Sequence, residues 1–140
     1  MFSSSLHNLL TEAVSEQPEI LNNQSVEAYL EKIQKYSEII RIDFNSTLIG
    51  VLSFYCNDIN NIRSHITFIY IRKDFRGMGF AKSLVRSAIR VSTEKKFKKI
   101  TIETRDYNKN ALQLYQDLGF LISDKKSSTV HLHLDLNKNA

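Results

Sequence analysis

HITFIYIRKDFRGMGFAK, residues 65–82, is the stretch whose reading decides the fold. Its first seven residues form an apolar run too short for most helices and rich in β-branched and aromatic side chains, which predicts a strand over 65–71. A charged turn follows over 72–75. Then come Arg76, Gly77, Met78, Gly79, Phe80 and Ala81, and a helical pattern begins at once. A glycine-rich loop between a buried strand and a helix start is what a phosphate site requires. Glycine lets the backbone approach a bulky anion, and the unpaired N–H groups of the first helical turn point at it. Arg76 and Lys82 flank the loop with positive charge suited to phosphate oxygens. The stretch therefore points to a phosphate-bearing cofactor.

Two common phosphate motifs fail on these residues. A Walker A loop needs glycine directly before its lysine and again six residues before it; here those positions are Ala81 and Arg76. The dinucleotide fingerprint G-x-G-x-x-G places Lys82 where its third glycine belongs. What remains is the pattern R-x-x-G-x-A, from Arg76 through Gly79 to Ala81.

Composition sets the frame around this loop. At 140 residues the chain is expected to be one domain, 1–140, with 42% hydrophobic and 24% charged residues, ordinary globular values. A single cysteine, Cys56, excludes an internal disulfide. No apolar stretch reaches the length of a membrane span, and the N-terminal residues carry acids rather than a basic flank before an apolar core. A cytoplasmic protein with no membrane partner is the expectation. The net charge of +4 invites a nucleic-acid reading. Lys95, Lys96, Lys98 and Lys99 carry much of that excess at the end of a predicted helix, where cations complement the helix dipole. No nucleic-acid partner is expected.

Taken in order, Leu6, Leu9, Leu10, Ala13 and Val14 recur at helical spacing until Pro18 interrupts. Val26, Tyr29, Leu30 and Ile33 predict a second helix capped by Ser25. Strands are expected over 38–43 and 47–56, joined at Asn45-Ser46, and the third strand is the opening stretch. After the glycines, Leu84, Val85, Ala88 and Val91 line one helix face. Residues 99–104 read as a strand with Ile100 and Ile102 facing one way and Thr101 and Glu103 the other. Asn108 can cap a helix that Gly119 ends. Two closing strands, 120–123 and 129–136, are expected around a polar turn, DKKSS. No strand is predicted before the first helix.

The segment 103–120, ETRDYNKNALQLYQDLGF, supplies a second motif. Glu103, Asn108, Ala111, Tyr115, Gly119 and Phe120 match E-x(4)-N-x(2)-A-x(3)-Y-x(3)-G-F. Together with R-x-x-G-x-A, this resembles the GCN5-related N-acetyltransferase (GNAT) family, and within it the ribosomal-protein N-terminal acetyltransferase-like members. The resemblance covers 47–120 well. It implies a mixed α/β acyltransferase fold with a largely antiparallel central sheet flanked by helices, here lacking the usual first strand. It implies acetyl-CoA as cosubstrate, no metal, and transfer to a primary amine by direct attack in a ternary complex. A small amine or amino sugar is slightly preferred over a protein N-terminus. The alternative is a non-catalytic acyl-CoA-binding module of the same fold. A homodimer stays open.

The resemblance also assigns positions. Backbone groups of Ile69, Tyr70 and Ile71 would pair with the pantetheine arm. Arg76, Gly77, Met78, Gly79, Phe80, Ala81 and Lys82 would hold the pyrophosphate. Asn108 and Ala111 would meet the pantetheine arm. Tyr115, one helical turn from Ala111 on the same face, would protonate the departing thiolate, and Glu103 would accept the amine's proton. A free glutamate titrates near 4.3, so burial would have to raise its pKa. Plainer readings stand beside these. Glu103 could pair with Arg105 on its own strand face, Tyr115 could be a core residue, and His131 and His133 read as a surface pair rather than metal ligands.

Overall fold

The computed structural model describes residues 4–136. Helix α1, Ser4–Glu16, is followed by a 3-10 turn at Pro18–Leu21 and by helix α2, Val26–Tyr36. Ser25 caps α2 as expected, accepting a hydrogen bond from the Ala28 N–H at 3.0 Å. Strands β1 (Glu38–Phe44) and β2 (Thr47–Tyr55) form a hairpin. Its turn residues Asn45 and Ser46 both take positive φ, 50° and 65°, as a tight two-residue hairpin requires. Then come β3 (Arg63–Ile71), a 3-10 turn at Lys73–Phe75, helix α3 (Phe80–Glu94), β4 (Lys99–Arg105), helix α4 (Lys109–Asp117), β5 (Leu121–Lys126) and β6 (Thr129–Asp135). Among the described residues no strand precedes α1. The closing turn is tighter than DKKSS suggested. Asp124, Lys125 and Lys126 pair with His131, Val130 and Thr129, so only Ser127 and Ser128 turn the chain.

The six strands form one sheet in the order β1-β2-β3-β4-β6-β5. All neighbours run antiparallel except β3 and β4, which α3 joins as a parallel crossover. Strand β2 is buried from Leu48 to Phe54 because both of its faces are covered. On one face, Leu6, Leu9, Leu10 and Ala13 of α1 and Leu30 and Ile33 of α2 pack on Leu48, Val51, Phe68 and Tyr70. On the other, Leu84, Val85 and Ala88 of α3 and Tyr115 of α4 pack on Leu52, Phe54, Ile66, Ile100, Ile102 and Leu132.

Strand β3 serves both cores because its alternation is reset once. Ser53 pairs with Phe68 and Phe54 with Ile66, so Thr67 has no partner on β2. This one-residue bulge turns Ile66 to one face and Phe68 and Tyr70 to the other. The base of the crossover is tied by a buried polar contact. Ser64 Oγ of β3 and Ser92 Oγ of α3 lie 2.7 Å apart, both fully buried. Replacing Ser92 with alanine leaves the Ser64 hydroxyl without its partner. Urea unfolding should show a loss of about 1–3 kcal/mol, and no loss would mean Ser64 finds another acceptor.

Candidate functional site

Strands β3 and β4 pair only at Arg63–Lys99, Ser64–Ile100 and His65–Thr101, and then part. From Ile66 onward β3 shows its far edge to an open gap. The Arg72 N–H bonds to Ile49 O at 2.8 Å, which fixes the alternation. Arg72 and Tyr70 turn their backbone groups toward β2, whereas Ile71 and Ile69 turn theirs into the gap. Of Ile69, Tyr70 and Ile71, the first and last turn their backbone groups to the gap and Tyr70 does not. Tyr70 instead buries its ring beneath α1, where its hydroxyl donates to Glu12 at 2.8 Å and to Glu16.

The glycine loop follows the C-terminal end of β3 and leads into α3. Gly77 and Gly79 have φ of +79° and +88°, and a Cβ built on either would meet no atom within 4 Å. The loop is thus shaped by backbone conformation, with open space above it. The first α3 amide to find a backbone acceptor is that of Ser83, bonded to Gly79 O at 3.1 Å; the amides before it are the orphan donors of a helix start. Lys82 adds a cation with no ion-pair partner among the described residues. Arg76 is committed elsewhere. Its N–H bonds to Lys73 O, and its guanidinium donates to Ile71 O at 2.8 Å and Glu16 Oε1 at 2.9 Å while lying over the Tyr70 ring. Arg76 and the Tyr70 hydroxyl hold the Glu16 carboxyl below its ordinary pKa, the tyrosine contact contributing most. Met78 and Phe80 stand at the loop rim, the first 63% exposed.

Helix α4 lines the other side of the gap. Its end is set by Gly119 at φ +99°. The Gly119 N–H returns to Gln116 O and the Phe120 N–H to Tyr115 O, both at 3.0 Å, a Schellman closure. The apolar contact that accompanies it is Phe120 on Tyr115, with ring centroids 5.9 Å apart. The sequence G-F therefore fixes where the Tyr115 ring lies. Tyr115 is 3% exposed, and burial pushes its pKa well above the usual 10. Its hydroxyl bonds to no described residue, yet no buried side-chain polar atom lacks a partner; the hydroxyl therefore opens onto the gap. Asn108 holds the N-cap position of α4, but its side chain does not cap. It donates instead to Thr104 Oγ1 of β4 at 3.3 Å.

Tyr115, Ala111, Ile69, Asn108 and Glu103 line a cavity of about 180 Å3 between the splayed strands. Gln17, Ile20, Thr67, Glu103, Thr104 and Asn108 also border a second cavity of about 470 Å3, so the two adjoin. Glu103 stands at their junction. It does not pair with Arg105. Its Oε2 lies 3.0 Å from His131 Nε2, while Arg105 donates to Ser128 Oγ at 3.3 Å and Thr129 Oγ1 at 3.2 Å. Nor is Glu103 buried, its side chain being 52% exposed; burial is not what prepares it as a base. His131 is more than a surface neighbour, since its Nδ1 lies 2.6 Å from Asp124 Oδ1. The bulge residue Thr67 and the roof residues Gln17 and Ile20 were not singled out in the sequence, which holds no local signal for any of them.

The acetyltransferase (GNAT) family profile matches residues 5–120. N-alpha-acetyltransferase MAK3 of Arabidopsis thaliana is 39% identical over 59 residues, 42% of this chain and 31% of that protein. The match thus spans under a third of the relative's length. The PaiA N-acetyltransferase of Thermoplasma acidophilum, solved with coenzyme A, superposes with a TM-score of 0.77 at 16% identity over 94% of this chain and 91% of its own. A GNAT family acetyltransferase of Elizabethkingia anophelis with acetyl-CoA bound gives 0.69 at 21% identity over 79% and 83%. Likeness at such identities speaks to the fold. Matched from α1 to the residue before β5 and folded on the same plan, the chain belongs to the acetyltransferase (GNAT) family.

Proposed function

We propose that this chain transfers the acetyl group of acetyl-CoA to a primary amine. The observation that carries the reading is the open gap between β3 and β4, with orphan amides at the start of α3 and the Tyr115 hydroxyl facing the gap. The residues fit the cosubstrate. The loop 77–82 offers donors, the Lys82 cation and free space above two glycines for the pyrophosphate. Ile69 offers its N–H and C=O and Ile71 its N–H to the amides of the pantetheine arm, the Ile71 carbonyl being held by Arg76, with Ala111 and Asn108 opposite. Arg76 joins the phosphate only by leaving Glu16. Acetyl-CoA supplies the acetyl group and the sulfur leaving group. Tyr115, kept protonated by burial, holds the proton that sulfur requires, and Glu103 takes the proton of the amine. The phenol should not limit activity by ionising below about pH 10.

The acceptor reading is a small amine or amino sugar rather than a protein N-terminus. A cavity of about 470 Å3 beside Glu103 has the size of a small-molecule site. Titration calorimetry with acetyl-CoA and with desulfo-CoA tests the cosubstrate, and release of free thiol across an amine panel tests the reaction. Saturable binding with no thiol release for any amine would favour a non-catalytic acyl-CoA-binding module. Absence of binding by a folded sample would remove the cosubstrate altogether.

A further inference from the structure

An exposed glutamate is a weak base for an ammonium group, and the structure offers no burial to strengthen it. What it offers is a second group. Glu103 Oε2 contacts His131 Nε2 at 3.0 Å, and His131 Nδ1 contacts Asp124 Oδ1 at 2.6 Å. The three residues lie side by side on β4, β6 and β5, since Glu103 and Asp124 both pair with His131 in the sheet. That face is bare of helices, because α1 and α2 cover only β1 to β3. Glu103 therefore reaches the cavity beside Tyr115 on one side and, through His131, an open concavity on the other.

We propose that His131 is a positioning and proton-relay residue for Glu103, holding its carboxylate toward the cavity and passing the amine's proton on to solvent. This rests on the acetyltransferase reading above. Asp124 at Nδ1 fixes the ring, and Nε2 faces Glu103 across 3.0 Å, a distance at which one proton is shared between the two. One N–H bond of the ammonium breaks and Glu103 takes the proton. The freed lone pair forms the N–C bond to the acetyl carbon as the C–S bond breaks, and the sulfur takes the proton of Tyr115. The proton on Glu103 passes to Nε2, and the 39% exposed imidazole releases it to water. A second proton, shed by nitrogen as the amide forms, restores Tyr115, so one proton is released per turnover.

Other charged groups face this assembly. His133 lies two residues along β6, bonded to Ser123 Oγ at 2.5 Å, and His65 approaches from β3. Arg105 and Lys126 sit two residues along their strands, both paired with Thr129. Burial, with Arg63 and His131 beside it, lowers the pKa of His65, so at neutral pH that ring stays uncharged.

The test follows thiol release from acetyl-CoA with spermidine, glucosamine and a tetrapeptide bearing a free N-terminus, using the amine turned over fastest. His131→Gln should lower kcat/KM at pH 7 about tenfold or more and move the acidic limb of the pH profile, with unchanged acetyl-CoA affinity. His131→Ala should regain rate on addition of imidazole, a response that loss of a merely structural contact would not give. Thermal melting checks that both variants fold, and Asp124→Asn perturbs the ring without removing it. Rates in His131→Gln within twofold of wild type with the same pH profile overturn the relay alone, as does His131→Ala that ignores imidazole. No turnover by the wild-type chain with any of the three amines overturns the acetyltransferase reading, and the relay with it.

Discussion

Gly79→Glu should abolish measurable acetyl-CoA binding while leaving the chain folded. Gly79 sits at φ +88° at the start of α3, with nothing within 4 Å of where its Cβ would lie. The added side chain enters the space proposed for the pyrophosphate and brings a negative charge against it. Like charges placed together at a binding site cost several kcal/mol, and about 3 kcal/mol is roughly a hundredfold in affinity. A non-glycine residue also strains this left-handed position by about 1–2 kcal/mol. Gly79→Ala carries the strain without the charge and should keep most of the affinity. Calorimetry that finds equal losses in both variants would mean loop conformation alone sets binding; wild-type affinity in Gly79→Glu would move the cosubstrate elsewhere.

Tyr115→Phe should separate binding from turnover. The phenol touches Phe120, keeps its packing on replacement, and bonds to no described residue through its hydroxyl. Removing that hydroxyl leaves no orphaned partner, so stability should hold within about 1 kcal/mol. Loss of a positioned general acid costs about a hundredfold or more in rate. The expected result is a kcat down by about that factor, unaltered acetyl-CoA affinity and an unshifted melting curve. Equal kcat in wild type and variant would reduce Tyr115 to a core aromatic.

Local signals made most of the fold legible. Helices α1 and α2 follow from apolar spacing and from Ser25. The β1–β2 hairpin follows from Asn45-Ser46, and the α3 start from Gly77 and Gly79. Gly119 predicts the end of α4 because only a residue tolerant of positive φ closes that turn. The misreadings share one cause. Asn108 reads as a cap by residue type, but Thr104 lies close enough to take its amide. Glu103 and Arg105 share a strand face, which permits a pair, yet the partner comes from another strand. Asp124, Lys125 and Lys126 look like a turn by polarity, although they pair along an exposed edge.

By itself the sequence determined the order of the elements and the glycine loop, because capping, periodicity and backbone permissiveness act over a few residues. Only the tertiary structure decided what those residues meet. Register across β4 and β6 set His131 against Glu103. The Thr67 bulge chose which β3 groups face the gap, and the docking of α1 brought Glu16 to Arg76. Each of these is a contact between segments far apart in the chain, fixed by how sheet and helices pack and written in no local pattern.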